Sequence, residues 1–173
     1  LADTTLPHPL DEVRVLRFAV LENLGASVAA MSEIVDGDCR LHHELGAESR
    51  ARFFTSCGVD PIHVTTGKQV HSANVAIVSE EDRGRGGHAG WPAFPDTDGL
   101  VTNVAALPLV ISIADCVPVF LLDPANNAIG LVHAGRVGTE NSIALVALEV
   151  MRDAFGTRPH DVHAVIGPSA GPD

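Results

Sequence analysis

Three apolar runs constrain this chain more than any other feature: LPLVISIA at 107–114, VPVFLLD at 117–123 and AIGLVHA at 128–134. Each is short for a helix and rich in β-branched residues, so each reads as a strand buried on both faces. Between the second and third runs, Asp123-Pro124-Ala125-Asn126-Asn127 supplies turn chemistry, because proline presets φ and Asx side chains close onto nearby backbone. These two runs therefore form a buried hairpin. With Asp123 to Asn126 as a four-residue loop, Leu122 faces Asn127 and the register sets Cys116 directly opposite His133, both on one face. Opposed residues have Cβ atoms about 5 Å apart, a span that a shared metal ion can bridge. Pro118 limits ladder pairing beside Cys116, and Ala134-Gly135 leave open space beside His133 in which a substrate pocket would fit. Taken alone, a Cys/His pair in such a hairpin also serves as plain packing, and the residues leave both readings open.

The remaining pattern is alternately helical and extended. VRVLRFAV at 13–20 alternates apolar and basic residues and reads as an early strand. Leu45, Phe53, Phe54 and Cys57 fall on one helical face between Glu44 and Cys57, closed by Gly58. IHVTTGKQVHSANVAIV at 62–78 is extended with a break at Gly67, and the acidic, Gly- and Pro-rich 80–97 segment reads as a long exposed loop. Ile143, Val146, Ala147, Val150, Met151 and Ala154 make one apolar stripe on a helix over 139–155, stopped by Gly156 and Pro159. VHAVIG at 162–167 is one more strand. The expected fold is α/β: a single domain over residues 1–173 with a mixed β-sheet flanked by helices.

Bulk properties narrow the function classes. The chain has 173 residues, enough for one domain with its own core, and no run approaches a membrane span. Acidic residues number 22 against 11 cationic ones, all arginine except Lys68, and they form no basic cluster. Nucleic acid is therefore not an expected partner, and neither is a membrane. The opening LADTTLPHPLDEV lacks the basic start and apolar core of a secretory signal. Three cysteines (Cys39, Cys57 and Cys116) without paired spacing make no disulfide framework and fit a reducing, cytoplasmic setting.

The segments QVHS, TDGLVTN, ISIADCVPVFLLD, GLVHAG and VIGP follow one another in this order. Together they resemble the YfiH-like proteins, also called laccase-domain proteins or multicopper polyphenol oxidases, a family associated with purine nucleoside phosphorylase and adenosine deaminase activity. The likeness is strongest from Gln69 to Pro168, and ESRARFFTSCGVDP extends it back to Glu48. The resemblance implies a YfiH-like fold and a catalytic metal held by His71, Cys116 and His133. Three protein ligands with an open fourth position suit catalytic zinc. The substrates it implies are a purine nucleoside and phosphate, in a chain that could pair as a homodimer. Copper acting on phenols is the alternative metal chemistry, and a metal-independent hydrolase with Cys116 as nucleophile and His133 as base is another. A non-catalytic metal-binding relative is the remaining alternative.

Two departures from the family pattern stand out. Where the family continues HAG with Trp-Arg-Gly, this chain has Arg136-Val137-Gly138. Arg136 is then a candidate for the phosphate-binding cation, displaced by one position. Asp98, in the DTDGLVT segment, is a candidate to shape the substrate pocket or to orient a ligand histidine. The chain also reaches Asp173 without the Cys- and Tyr-containing stretch that follows VIGP in the family, so the usual C-terminal segment is expected to be lacking.

Overall fold

The computed structural model describes residues 15–33, 37, 39, 46–87 and 90–171. It is a mixed α/β domain whose centre is a five-stranded sheet in the order β4-β5-β8-β7-β9. These strands are β4 (Val75–Ile77), β5 (Gly99–Thr102), β7 (Val117–Asp123), β8 (Ala128–Ala134) and β9 (His163–Ile166). β4 runs parallel to β5, and every other pair is antiparallel. Two small sheets flank it: β1 (Val15–Arg17) with β2 (Ala30–Ser32), and β3 (Thr65–Thr66) parallel to β6 (Leu109–Val110).

Burial follows the alternation of the strands. Val101, Val119, Leu121, Ala128 and Val132 turn to one face, against Ile143, Ala147 and Met151 of helix α4 (Ile143–Phe155). Leu122 turns to the other, against Leu21 of helix α1 (Ala19–Glu22) and Ala29. On that same far side Leu100 packs with Val78 and Leu107. Both faces of β7 and β8 are thus covered, as their unbroken apolar runs require. Of the expected stripe on α4, Ile143, Ala147 and Met151 are buried, Val146 and Val150 half-buried, and Ala154 exposed.

Several local expectations are corrected. The hairpin turn is Pro124–Asn127, so Asp123 faces Ala128 and Pro118 faces His133. Cys116 is therefore not opposite His133 but two residues before its partner Pro118, just ahead of the first residue of β7. The cause is Asp123: its Oδ1 accepts from the amides of Ala125 and Asn126 (3.0 and 3.2 Å), and its Oδ2 from the Asn126 side chain (2.8 Å). Asp123 therefore closes the turn from the last position of the strand, and Asn127 takes a left-handed φ of 50° before β8. A shift of two residues preserves the face on a regular strand, and Cys116, in the bend before β7, still brings its sulfur within 4.8 Å of a ring nitrogen of His133.

The early strand stops at Arg17, because Phe18 leads into α1 while its amide bonds the Ala29 carbonyl; residues 13 and 14 lie outside the described ones. The 44–57 helix is Ala47–Ser56 (α2) with Cys57 at its C-cap; residues 44 and 45 lie outside the described ones too. The helix expected over 139–155 is two helices, α3 (Arg136–Glu140) and α4, parted where Ser142 adopts φ 57°. Of the 107–114 run only Leu109–Val110 is strand. Ser112 instead meets a side chain: Gln69 Nε2 donates to its carbonyl (2.8 Å) and its amide donates to Gln69 Oε1 (2.7 Å).

The described part of the 80–97 segment is fastened to its surroundings, residues 88 and 89 lying outside the described ones. A 3-10 turn at Glu80–Asp82 is closed by a capping box with Ser79. Arg83 donates to the carbonyls of Ala105 and Ala106, and Arg85 lies over the Phe94 ring at 3.9 Å. The carbonyl of Asp82 accepts from the Thr65 hydroxyl, and that hydroxyl accepts from the Gly84 amide.

Candidate metal centre

Asp98 organises the site. It sits immediately before β5 and is wholly buried. Its Oδ1 accepts from the amide of His71 (3.0 Å) and lies 2.8 Å from Nδ1 of His133; its Oδ2 accepts from the amides of Val70 (3.1 Å) and Ser72 (2.8 Å) and from the Ser72 hydroxyl (2.8 Å). Burial pushes the Asp98 carboxyl up, but the hydrogen bonds from His133, Ser72 and Val70 outweigh it and hold the group below the ordinary carboxylate range. The ionised carboxylate can only accept, so Nδ1 of His133 is the donor.

Three successive amides converging on one carboxylate bend the 70–72 segment sharply, and His71 takes φ 62°. That left-handed conformation is uncommon for a side-chain-bearing residue and is kept only where surroundings impose it. Here Asp98 imposes it, and the exposed His71 ring lies edge-on to the buried His133 ring, centroids 4.9 Å apart. Cys116, half-buried, ends the bend over 114–116 that precedes β7.

The ligating atoms of His71, Cys116 and His133 all lie within 4.8 Å of one another, and no other such cluster occurs among the described residues. The donor set fits a zinc-type ion. It offers one thiol and two imidazoles, and Asp98 occupies Nδ1 of His133 so that Nε2 is the atom left for a ligand.

The other residues singled out from sequence fall differently. Asp98, expected to shape the pocket or to orient a ligand histidine, is wholly buried and bonded to His133 and to the 70–72 segment. Arg136 stands at the first position of α3, 81 % exposed, and donates to Glu140 at 3.1 Å. It is not gathered with the three donors. The space expected beside His133 is narrow at Gly135, where a Cβ would meet His71, Cys116 and His133 at 2.9, 3.3 and 3.6 Å. Gln69 and Ser72 went unassigned in sequence. Gln69 joins the His71 segment to the one leading into Cys116, and nothing short of the fold could reveal a side-chain-to-backbone pairing across 43 residues.

Comparison with known proteins supplies the family. Residues 37–173 match the family model described as multi-copper polyphenol oxidoreductase laccase. A purine nucleoside phosphorylase, YlmD, of Bacillus subtilis is 39 % identical over 101 residues, covering 58 % of this chain and 36 % of that protein. A purine nucleoside phosphorylase of Corynebacterium glutamicum is 36 % identical over 124 residues, covering 72 % of this chain and 48 % of the relative. The chain thus spans less than half the length of these relatives. The crystal structure of a hypothetical protein YfiH from Bacillus licheniformis superposes with TM-score 0.73 at 33 % identity, over 78 % of this chain and 52 % of that one. The family model covers residues 37–173, most of the chain, and the fold superposes on that of YfiH, so the chain belongs to the YfiH-like, multi-copper polyphenol oxidoreductase laccase family.

Proposed function

We propose that this chain carries the metal centre of a zinc-dependent purine nucleoside phosphorylase, with adenosine deamination as a second activity of the same centre. The observation that carries the reading is the meeting of His71, Cys116 and His133 within 4.8 Å, with His133 anchored through Nδ1 by a buried carboxylate. Relatives named purine nucleoside phosphorylase support the substrate class. A bound zinc would supply Lewis acidity at an open coordination position.

The chain's own groups have definable parts. Asp98 holds His133 in one tautomer and one orientation, and by bending the 70–72 segment it presents His71 to the same point. Gln69 keeps the Ser112 segment, and through it Cys116, beside that point. His71 is exposed and Cys116 half-exposed, so one side of the cluster opens to a small molecule, while His133 closes the other. Arg136 could reach an arriving phosphate only by giving up Glu140.

The family's description favours a second reading, a copper oxidase of phenols. A multicopper centre needs more ligands than the single cluster found among the described residues. Metal analysis of the purified protein beside an adenosine-plus-phosphate assay separates the two. About one zinc per chain with adenine released in a phosphate-dependent manner is the expected result. Bound copper with oxygen uptake on a phenol, or bound zinc with no nucleoside turnover in the full-length protein, would overturn the reading.

A further inference from the structure

Five hydrogen bonds reach the Asp98 carboxylate, and one of them is not needed to hold it in place. Oδ1 receives the His71 amide and Nδ1 of His133, and Oδ2 receives the amides of Val70 and Ser72. Those four N–H groups engage both oxygens and fix the plane of the carboxylate. The fifth donor is the Ser72 hydroxyl, 2.8 Å from Oδ2. We infer that Ser72 acts on charge rather than on shape. By drawing electron density toward Oδ2 it limits the pull of Asp98 on the Nδ1 proton of His133, and so moderates the donor strength of Nε2.

The direction of the hydroxyl proton follows from its neighbours. A serine hydroxyl has one proton to give and accepts through its lone pairs. The amide of Asn74 donates to Ser72 Oγ at 3.1 Å. The proton then has two acceptors, the Asp96 carbonyl at 3.3 Å and Asp98 Oδ2 at 2.8 Å. The nearer, ionised one takes it, since a charged acceptor makes the stronger bond. A chain results, from the Asn74 amide through the Ser72 hydroxyl and the Asp98 carboxylate to the His133 ring, in which each bond polarises the next. Asp98 is wholly buried, so water does not replace a lost donor. Without the hydroxyl the carboxylate becomes a stronger acceptor, the Nδ1 proton moves toward it, and Nε2 becomes richer in charge and a tighter ligand. Asn74 is exposed, so water satisfies its amide when the hydroxyl is removed, and the bend survives.

The step from Nε2 to a metal rests on the reading of the cluster as a metal site, and the test keeps the two apart. Metal-free wild type, Ser72→Ala and Ser72→Thr proteins are compared by proton NMR of the hydrogen-bonded imidazole proton, identified by its loss in His133→Gln. Each is then titrated with zinc chloride against a competing chelator. In Ser72→Ala the resonance is expected to move downfield, and zinc to bind up to about tenfold more tightly, the lower end of the scale on which groups around metal ligands act. Ser72→Thr, which keeps the hydroxyl, should restore both wild-type values. A resonance in Ser72→Ala that stays in place or moves upfield would overturn the inference. So would weaker zinc binding in that variant, the mark of a hydroxyl that only props the bend, or a Ser72→Thr that resembles Ser72→Ala. Should wild type itself bind no zinc, the metal reading fails, while the resonance still decides whether Ser72 governs the pull of Asp98 on His133.

Discussion

Asp98 holds His133 twice: its carbonyl accepts from the His133 amide at 2.8 Å, and its carboxylate takes the Nδ1 proton, also at 2.8 Å. The first bond continues the β5–β8 ladder by one residue, and the second extends that ladder into the side chains. Strand register and ring orientation are therefore one constraint. Asp98→Asn keeps the size of the group but replaces one acceptor oxygen with a donor, among donors. Zinc affinity is expected to fall about 10–100-fold, measured by chelator competition. Unchanged affinity would show that the Nδ1 contact does not prepare the ligand.

Cys116 lies outside the ladder and is half-exposed, so its truncation should spare the fold. Cys116→Ala is expected to lose stoichiometric zinc, while the melting temperature of the metal-free protein moves by no more than the equivalent of about 0.5 kcal/mol. Elemental analysis and thermal melting check the two halves separately.

Gln69→Ala removes both hydrogen bonds to Ser112 and leaves the amide and carbonyl there without those partners. A cost of about 1–3 kcal/mol in stability is expected, together with weaker zinc binding, because the Cys116 segment is no longer tied to the His71 segment. Gln69→Glu retains one acceptor and should lie between. Full zinc affinity in Gln69→Ala would separate the clamp from the site.

Arg136 pairs with Glu140 on an exposed helical turn, an arrangement worth little in stability. Arg136→Ala should change zinc affinity by less than about twofold, on the scale that such surface replacements have. The phosphate KM is the revealing measurement: a several-fold rise would show that the guanidinium leaves Glu140 for the substrate.

Asp123 makes the hairpin acid-sensitive. Burial raises its carboxyl, but hydrogen bonds from the Asn126 side chain and from the Asn126 and Ala125 amides more than offset this, so it titrates below its unfolded value. A carboxyl lowered in the folded state stabilises fully above its unfolded pKa of about 3.9. That contribution disappears as pH falls through the lower folded value. Asp123→Ala should therefore cost about 1–3 kcal/mol near neutral pH, and the gap from wild type should close below about pH 4. A gap that stays constant well below that pH would contradict the assignment.

Much of the architecture is local in origin and hence legible. Unbroken apolar runs joined by an Asp-Pro-Ala-Asn-Asn turn specify a buried hairpin, and the period of two places Cys116 and His133 on one face however many pairs the turn slips by. The choice of turn residues was not legible, because it depends on whether the Asp123 carboxylate caps the turn from within the strand. The helix expected over 139–155 failed at Ser142 for a similar reason: periodicity records which residues are apolar, not where the backbone turns left-handed.

The sequence by itself determined the chemistry available: one thiol and two imidazoles in a recognisable family pattern, two of them brought to one face by a hairpin. Only the tertiary structure decided their arrangement. A carboxylate 27 residues from His71 and 35 from His133 bends the backbone at the first and orients the ring of the second. A glutamine bonds backbone 43 residues away, in the segment that leads into Cys116. Such contacts are specified by where the chain returns, which no local period encodes. A residue's neighbours along the chain set its conformation, but its neighbours in space set which way its donor atom points.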